Sequence, residues 1–281
     1  MKILLLAALL PFFSDPAPAD SLLVVSWNVE NFLDYRTDTT GRYTAGRFYT
    51  KCNAIAKTLL LISEQYGRLP DAVALTEVGD RFVLERLLHS TPLRKLDYSI
   101  VHYDSPDRRG IDCALLYRRS SLRLQWSEPK HLTDSSGAIM STRDILAARF
   151  DSLAILVNHH PSKVGEDSQW RRDVAMRRMH EVMDSLGAAG CRRIISVGDF
   201  NDDVWRDGSP GTIKYNGQWE KIDGYFAREL IVNERVFDSP VLSERDRSYG
   251  GLKPRRAFLG PRWNGGVSDH YPVIIWIKAA R

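Results

Sequence analysis

The sequence predicts an α/β fold, and three observations predict it. Short runs of apolar residues recur along the chain, amphipathic helical stretches lie between them, and no Pro- or Ser-rich linker divides them. One domain is expected over residues 20–281.

The elements follow in order. Residues 22–27 are apolar at nearly every position, as a strand buried on both faces requires. Residues 46–65 carry Phe48, Cys52, Ile55, Ala56, Leu59 and Ile62 at three- and four-residue spacing. That spacing puts one apolar stripe on a helix, which Gly67 and Pro70 end. A second buried strand is expected over 72–76 and a short helix over 80–89. Weaker strand patterns cover 98–103, 112–117 and 122–126, before another apolar run at 153–157. Residues 168–186 read as a helix with Trp170, Val174, Met179, Val182, Met183 and Leu186 on one side. Its other side is rich in Arg171, Arg172, Arg177 and Arg178. Strands at 193–197, 222–227 and 273–277 complete the set. Two stretches, 202–221 and 239–267, hold many Gly, Pro, Arg and Trp with little periodicity. Loops of that length in a compact domain are usually functional or disordered.

Bulk composition sets the outer bounds. The chain has 281 residues, 43% hydrophobic and 26% charged, with net charge +4. Such a mild basic excess permits an anionic substrate without requiring one. At the N-terminus, Lys2 precedes an apolar run over 3–13 and then Ala17-Pro18-Ala19, the order of a secretory signal peptide. That run is about half the ~20 residues that span a bilayer. A signal peptide is therefore expected over 1–19, with a secreted or periplasmic mature chain that lacks a membrane segment. A monomer is expected. Cys52, Cys113 and Cys191 match no zinc spacing. Three small buried side chains are expected, although one disulfide could form after export.

The chemistry lies where the strands end. The first run meets Asn28, the second meets Glu77, the run at 153–157 meets Asn158-His159-His160, and that at 193–197 meets Gly198-Asp199-Phe200-Asn201. Ser268-Asp269-His270 opens the last strand. One polar strand end means little, but five that carry metal- or proton-handling groups mark a ligand edge.

At these residues the sequence resembles the endonuclease/exonuclease/phosphatase superfamily, the DNase I-like group. The resemblance rests on Ser26-Trp27-Asn28-Val29, Leu75-Thr76-Glu77-Val78, Val157-Asn158-His159-His160, Gly198-Asp199-Phe200-Asn201 and Ser268-Asp269-His270-Tyr271-Pro272-Val273, in that order. It implies a four-layer α-β-β-α sandwich of two mixed β-sheets flanked by helices. It also implies a phosphoesterase dependent on Mg²⁺ or Mn²⁺, with Glu77 as principal metal ligand and Asn28 and Asp269 beside it. A hard cation with oxygen ligands suits that chemistry.

The other roles follow from the same resemblance. Its N-x-H pattern puts the first catalytic histidine on His160, with His159 as a neighbour, and His270 is the second. Asp199 would orient or deprotonate water, and Asn201 would donate to phosphoryl oxygens. Asp223 would orient His270, and Asp112 would orient His160 unless it only caps the turn after Gly110. One departure is Glu30, at a position where some family nucleases carry a basic residue. It would add negative charge near the phosphate or supply a ligand.

Three functions compete. A nuclease or phosphodiesterase could track a phosphate backbone with Arg171, Arg172, Arg177, Arg178, Arg192, Arg193, Arg255 and Arg256. A phosphatase or phospholipase C-like enzyme for phosphoinositide or sphingomyelin headgroups could use Trp205, Trp219 and Trp263 at an interface. A non-catalytic binding module is least in keeping with a complete set of acid, base and ligand groups. The nuclease reading is favoured.

Overall fold

The computed structural model describes residues 21–279 except 152, 164, 166–167 and 205–209. The expected signal peptide at 1–19 and Trp205 lie outside the described residues.

Strand β1 (Leu22–Phe32) leads through helix α1 (Ala45–Tyr66) to β2 (Ala72–Val78). Helix α2 (Arg81–Ser90) precedes β3 (Tyr98–His102) and β4 (Asp112–Arg118). Strands β5 (Leu124–Lys130), β6 (Ile145–Phe150) and β7 (Ala154–His159) follow, then α3 (Ser168–Ala188) and β8 (Ile194–Asp199). A ribbon of β9 (Ile213–Tyr215) and β10 (Gln218–Glu220) precedes β11 (Asp223–Arg228) and β12 (Leu230–Val236). Two more ribbons come next, β13 (Ser243–Arg245) with β14 (Leu252–Pro254) and β15 (Phe258–Leu259) with β16 (Arg262–Trp263). The last strand is β17 (Val273–Ala279).

Two mixed sheets result. One has the order β12-β17-β1-β2-β4-β3 and the other β11-β8-β7-β6-β5. Each contains one parallel pair, β1 with β2 and β7 with β8, and antiparallel pairs elsewhere. Parallel neighbours need a crossover, which α1 and α3 supply. The crossovers bring the C-terminal ends of each parallel pair to one edge of its sheet.

Three apolar clusters define the layers. The first packs α1 and α2 on the outer face of the six-stranded sheet through Phe48, Ile55, Leu59, Ile62, Leu84 and Leu87. The second fills the space between the sheets with Val24, Ala74, Leu115, Ile155, Val157, Ile195, Val197 and Ile275. The third seats α3 through Val174, Met179, Val182 and Met183 on the other sheet. This is the α-β-β-α sandwich that the resemblance implied. Each fully buried aliphatic side chain contributes about 1.5–3 kcal/mol. Helix α1 begins where the Thr44 hydroxyl accepts from Arg47 N–H and ends at Gly67, whose φ of 67° suits glycine.

Two strands departed from the sequence pattern. In β6 (Ile-Leu-Ala-Ala-Arg-Phe), two alanines and Arg149 dilute the strand signature. In β12 the apolar Ile231 faces solvent, while the inward Glu234 pairs with buried Lys221 at 3.5 Å. The alternation is thus inverted at two positions. The stretches read as loops also carry the three ribbons. Cys52, Cys113 and Cys191 are all buried free thiols.

Candidate active site

Side-chain parity places the site. In β7, Ile155 and Val157 face the space between the sheets, whereas Ala154 and Leu156 face α3. Strand side chains alternate, so His159 follows Ile155 and Val157 inward. The same rule sends Asp199 inward with Ile195 and Val197, and Asp223 inward with Tyr225 and Ala227. In β1, Asn28 shares the parity of the inward Val24.

Glu77 reaches the same space by a different route. By parity it would follow Val73 and Leu75 to the helix side. The register slips between Thr76 and Val78, and Glu77 has φ of 61°. That bulge re-aims the carboxylate toward the crevice. Glu30, Asn31 and Asn201 also have positive φ, at 44°, 50° and 49°. Such conformations cost about 1–3 kcal/mol each and collect at functional sites.

Gly198 brings the ends of two neighbouring strands close. Its φ is 142°, and a Cβ there would lie 2.0 Å from the Asn158 carbonyl oxygen. Only glycine lets β7 and β8 approach so nearly, which sets His159 beside Asp199.

A hydrogen-bonded cluster results. The Asn28 amide nitrogen donates to Asp199 Oδ2 at 3.0 Å and to Glu77 Oε1 at 3.3 Å. Glu77 Oε2 accepts from Asn31 N–H at 2.8 Å, and Asp199 Oδ1 accepts from Asn201 N–H at 2.9 Å. The His159 Nε2 atom lies 3.7 Å from Asp199 and 3.9 Å from Glu77. His270 Nδ1 bonds Asp223 Oδ2 at 2.8 Å, and its Nε2 faces Asp199 at 3.9 Å. The expected His270–Asp223 pairing is therefore present in the geometry. Ser268 fixes the loop before β17: its hydroxyl donates to Asn28 O at 2.6 Å and accepts from His270 N–H at 3.0 Å. The Trp27 indole donates to His270 O at 3.0 Å.

Burial and neighbouring charge tune these groups in opposite directions. Burial lowers the basicity of His270, but Asp223, its hydrogen bond, Asp199 and Asp269 outweigh it and hold the ring well above its usual pKa. For His159, burial and the charges of Arg143 and Arg109 act together, so it lies well below and is neutral at pH 7. Burial and repulsion from Asp223 push Asp199 up to about 7, despite His270 and the bonds from Asn28 and Asn201.

Three expected placements are corrected. His160 does not face the carboxylates. Its opposite parity turns it to the α3 side, where it packs edge-on against Phe200 with centroids 5.1 Å apart. Neither of its buried ring nitrogens has a hydrogen-bond partner among the described residues, and burial pulls its pKa down to about 3. Asp112 orients neither His159 nor His160. It accepts from Ser105 N–H at 2.8 Å and faces His102 Nε2 at 3.3 Å on the neighbouring strand. Asn28 presents its NH₂ group to the carboxylates because its oxygen accepts from Glu30 N–H at 2.9 Å. An amide nitrogen carrying two protons cannot ligate a cation, so Asn28 orients two carboxylates here. Asn201 is at the site, with one amide hydrogen given to the His160 carbonyl at 2.9 Å.

The remaining groups form a charged rim. Asp269 Oδ2 pairs with Arg256 at 3.1 Å. Glu30 accepts from Arg256 Nε at 2.9 Å and from Ala257 N–H at 3.0 Å, so it anchors the loop before β15. Lys51, buried on α1, donates to the Glu30 carbonyl. Burial draws its pKa down to about 8, against the attraction of Glu30, Glu77 and Asp269. Burial and Asp269 raise Glu30 despite Lys51 and Arg256. Sequence reasoning missed His159, Lys51 and Arg256 as members of this group. Lys51 did leave a signal, since it stands three residues after Phe48 and four before Ile55 on the apolar stripe.

The donor set fits a hard divalent cation. Glu77 and Asp269 are carboxylates still partly open to solvent, at 16% and 24% side-chain exposure. Burial, aided by repulsion from Asp223 and Asp269, raises Asp199 and Glu30, and a nearby cation would offset the repulsive part. Asp199, Asp223 and His270 also lie within chelating distance of one another. Their short histidine–carboxylate bond instead commits one nitrogen and one carboxylate to each other.

Comparison with known proteins agrees with this fold. A search of curated protein sequences finds no significant match. The D. rerio TDP2 structure complexed with single-strand DNA product superposes with TM-score 0.59 at 16% identity, covering 92% of this chain and 99% of that one. A Bacteroides thetaiotaomicron endonuclease/exonuclease/phosphatase family protein gives TM-score 0.58 at 14% identity, covering 92% and 97%. The human Nocturnin catalytic domain gives 0.58 at 17% identity, covering 92% and 94%. At these identities the likeness concerns the fold. The family model described as endonuclease/exonuclease/phosphatase matches residues 24–228 and 206–279, nearly all of the described chain, and the protein belongs to that family.

Proposed function

We propose that the protein is a divalent-cation-dependent phosphodiesterase of the nuclease type. One observation carries this reading: two histidines, one with its pKa lowered and the other with its pKa raised, converge on Asp199 at the edge shared by the two sheets.

A cation held by Glu77 and Asp269 would neutralise charge on the phosphate and on the leaving oxygen. Asn28 and Asn31 hold the Glu77 carboxylate in place for it. Asp199, with a pKa near neutrality, accepts the proton of the attacking water. His270, kept as imidazolium by Asp223, donates to a phosphoryl oxygen as negative charge builds there. His159, neutral and lying beside both Asp199 and Glu77, offers a second ring N–H to the phosphate. The free amide hydrogen of Asn201 supplies a third donor.

The nuclease assignment draws on the fold likeness to D. rerio TDP2, whose structure holds a single-strand DNA product. A second reading, a lipid-headgroup phosphodiesterase, is favoured by exposed apolar side chains near His270. Tyr215, Trp219, Tyr249 and Leu252 are exposed, and Ile213, on the ribbon of Tyr215 and Trp219, bridges to His270. Trp263 does not join them, since it packs on Phe258 at 5.0 Å. The deciding experiment incubates purified protein and Mg²⁺ or Mn²⁺ with duplex DNA, single-stranded DNA, RNA, sphingomyelin and phosphoinositides. Cleavage of nucleic acid is expected. Turnover of lipid headgroups alone would replace the first reading with the second.

Export is also proposed, on the charged, apolar and small-residue order of residues 1–19. Mature protein from the native host should begin near Asp20. N-terminal sequencing that finds Met1 on a cytoplasmic protein would reject this. No helix among the described residues is long and apolar enough to cross a membrane.

A further inference from the structure

Beside the cluster, and separate from it, lies a cavity of about 420 Å³ whose lining includes Asp107, Arg108, Arg109, Ser141, Arg143 and Arg171. Four guanidinium groups face one carboxylate there, a formal excess of three positive charges. Such a concave, like-charged wall raises the local concentration of anions.

The cavity is built in advance. Asp107 accepts from Arg143 at 3.0 Å, from Arg109 N–H at 2.8 Å and from Arg109 Nε at 3.3 Å. The Arg109 side chain stays mostly exposed despite this partner, so its charge still faces solvent. Ser141 donates to Pro106 O at 3.0 Å, and Arg171 donates to Ser141 O at 3.3 Å. The bond from Ser105 N–H to Asp112 pins the start of the same loop. Arg108 is exposed and makes no hydrogen bond or ion pair among the described residues. A fixed wall with one uncommitted guanidinium suits an oxyanion that accepts several hydrogen bonds.

Its position ties it to the reaction. Arg143 is buried, and it donates to His159 O at 3.1 Å and to His160 O at 2.5 Å. Pro161, the next residue, lines the cavity. The cavity therefore opens directly past the strand end that carries His159. A substrate bound at His159 and extended beyond it meets these arginines.

We propose that this cavity is a second phosphate subsite, which receives a non-scissile phosphate of the substrate. The proposal rests on the phosphodiesterase reading above and adds to it. The preferred substrate carries at least two phosphates, and the second one sits on the His159 side. That second phosphate could be a neighbouring backbone phosphate of a strand or a terminal monoester, which are the same chemistry to an arginine wall.

The test combines Arg108→Ala with Arg171→Ala, and leaves the buried Arg143 untouched. On a single-stranded oligonucleotide kcat/KM should fall, through KM, about tenfold more than on bis(4-nitrophenyl) phosphate, which has one phosphorus. Binding of the same oligonucleotide, followed by fluorescence anisotropy in EDTA, should lose about 0.7 of salt slope per phosphate contact removed. A dinucleotide with and without a terminal phosphate distinguishes the sources. Sensitivity to the arginines that appears with the terminal group assigns the subsite to a monoester, and sensitivity seen only with longer strands assigns it to the backbone. Equal losses on both substrates, or no change in kinetics and binding, overturn the subsite. If wild type cleaves neither substrate but binding still depends on both arginines, the phosphodiesterase reading fails and the subsite stands.

Discussion

Replacing His270 by alanine is expected to lower the rate of phosphodiester cleavage by about 10²–10⁴-fold, the range for losing a positioned proton donor. The imidazole is held as a cation by Asp223 at 2.8 Å and lies 3.9 Å from Asp199. Asp223→Asn should also lose activity, and it should change the pH profile in a defined direction. Asp223 is the largest of the influences that raise the His270 pKa, so removing its charge lowers that pKa. The alkaline limb of the profile, where His270 gives up its proton, should then move to lower pH. The double variant should cost little more than His270→Ala alone, because groups that act as a unit are not additive. Fully multiplied losses in the double variant would reject the pairing. The same assay separates the two adjacent histidines. His159→Ala should fall into the range of His270→Ala, whereas His160→Ala should chiefly lower the melting temperature, since it leaves a void against Phe200. A severe kinetic loss in His160→Ala with unchanged stability would restore the register first expected from the N-x-H pattern.

Removing the cation should have an effect at least as large. EDTA is expected to abolish activity, and Mg²⁺ or Mn²⁺ to restore it. Glu77→Ala should lose about a thousandfold or more, since a metal ion supplies several kcal/mol of charge stabilisation. Glu77 also accepts from Asn31 N–H and from Asn28, so the variant needs a fold check by circular dichroism. Glu77→Gln is the gentler control, since it keeps a side chain of the same shape while it removes the charge. Calorimetric titration with Mn²⁺ should show a binding event in the wild type that both variants weaken. Full activity in EDTA, or equal Mn²⁺ binding by all three proteins, would show that Glu77 does not hold the cation. The rim bears on the affinity. Glu30, Glu77 and Asp269 share the buried Lys51 and the half-exposed Arg256, which leaves one net negative charge for the cation.

Glu30 illustrates how a sequence anomaly resolves. A carboxylate two residues after Asn28 suggested either repulsion of the phosphate or an extra ligand. In the structure both oxygens are engaged by Arg256 and Ala257, across 226 and 227 positions of sequence. Its charge is spent on holding a loop. The bond that decides this is long-range, so no local pattern could reveal it.

By itself, the sequence determined the α/β architecture, the three helices, most strands and the polar residues that end them. These are local properties: apolar periodicity, caps and breakers act within a few residues, and an apolar run that meets Asn28, Glu77 or Asp199 does so in any context. The resemblance then supplied the sandwich and its order of motifs. Tertiary structure alone decided which histidine enters the crevice. The run before His159 and His160 is apolar on both faces, so alternation exists but carries no label for inside and outside until a second sheet covers one face. It also decided the partner of Asp112, the turn of the Glu77 carboxylate at a bulge and the recruitment of Lys51 and Arg256. Each depends on which strand or loop lies next door, and that is settled by burial summed over the whole core rather than by neighbours in sequence.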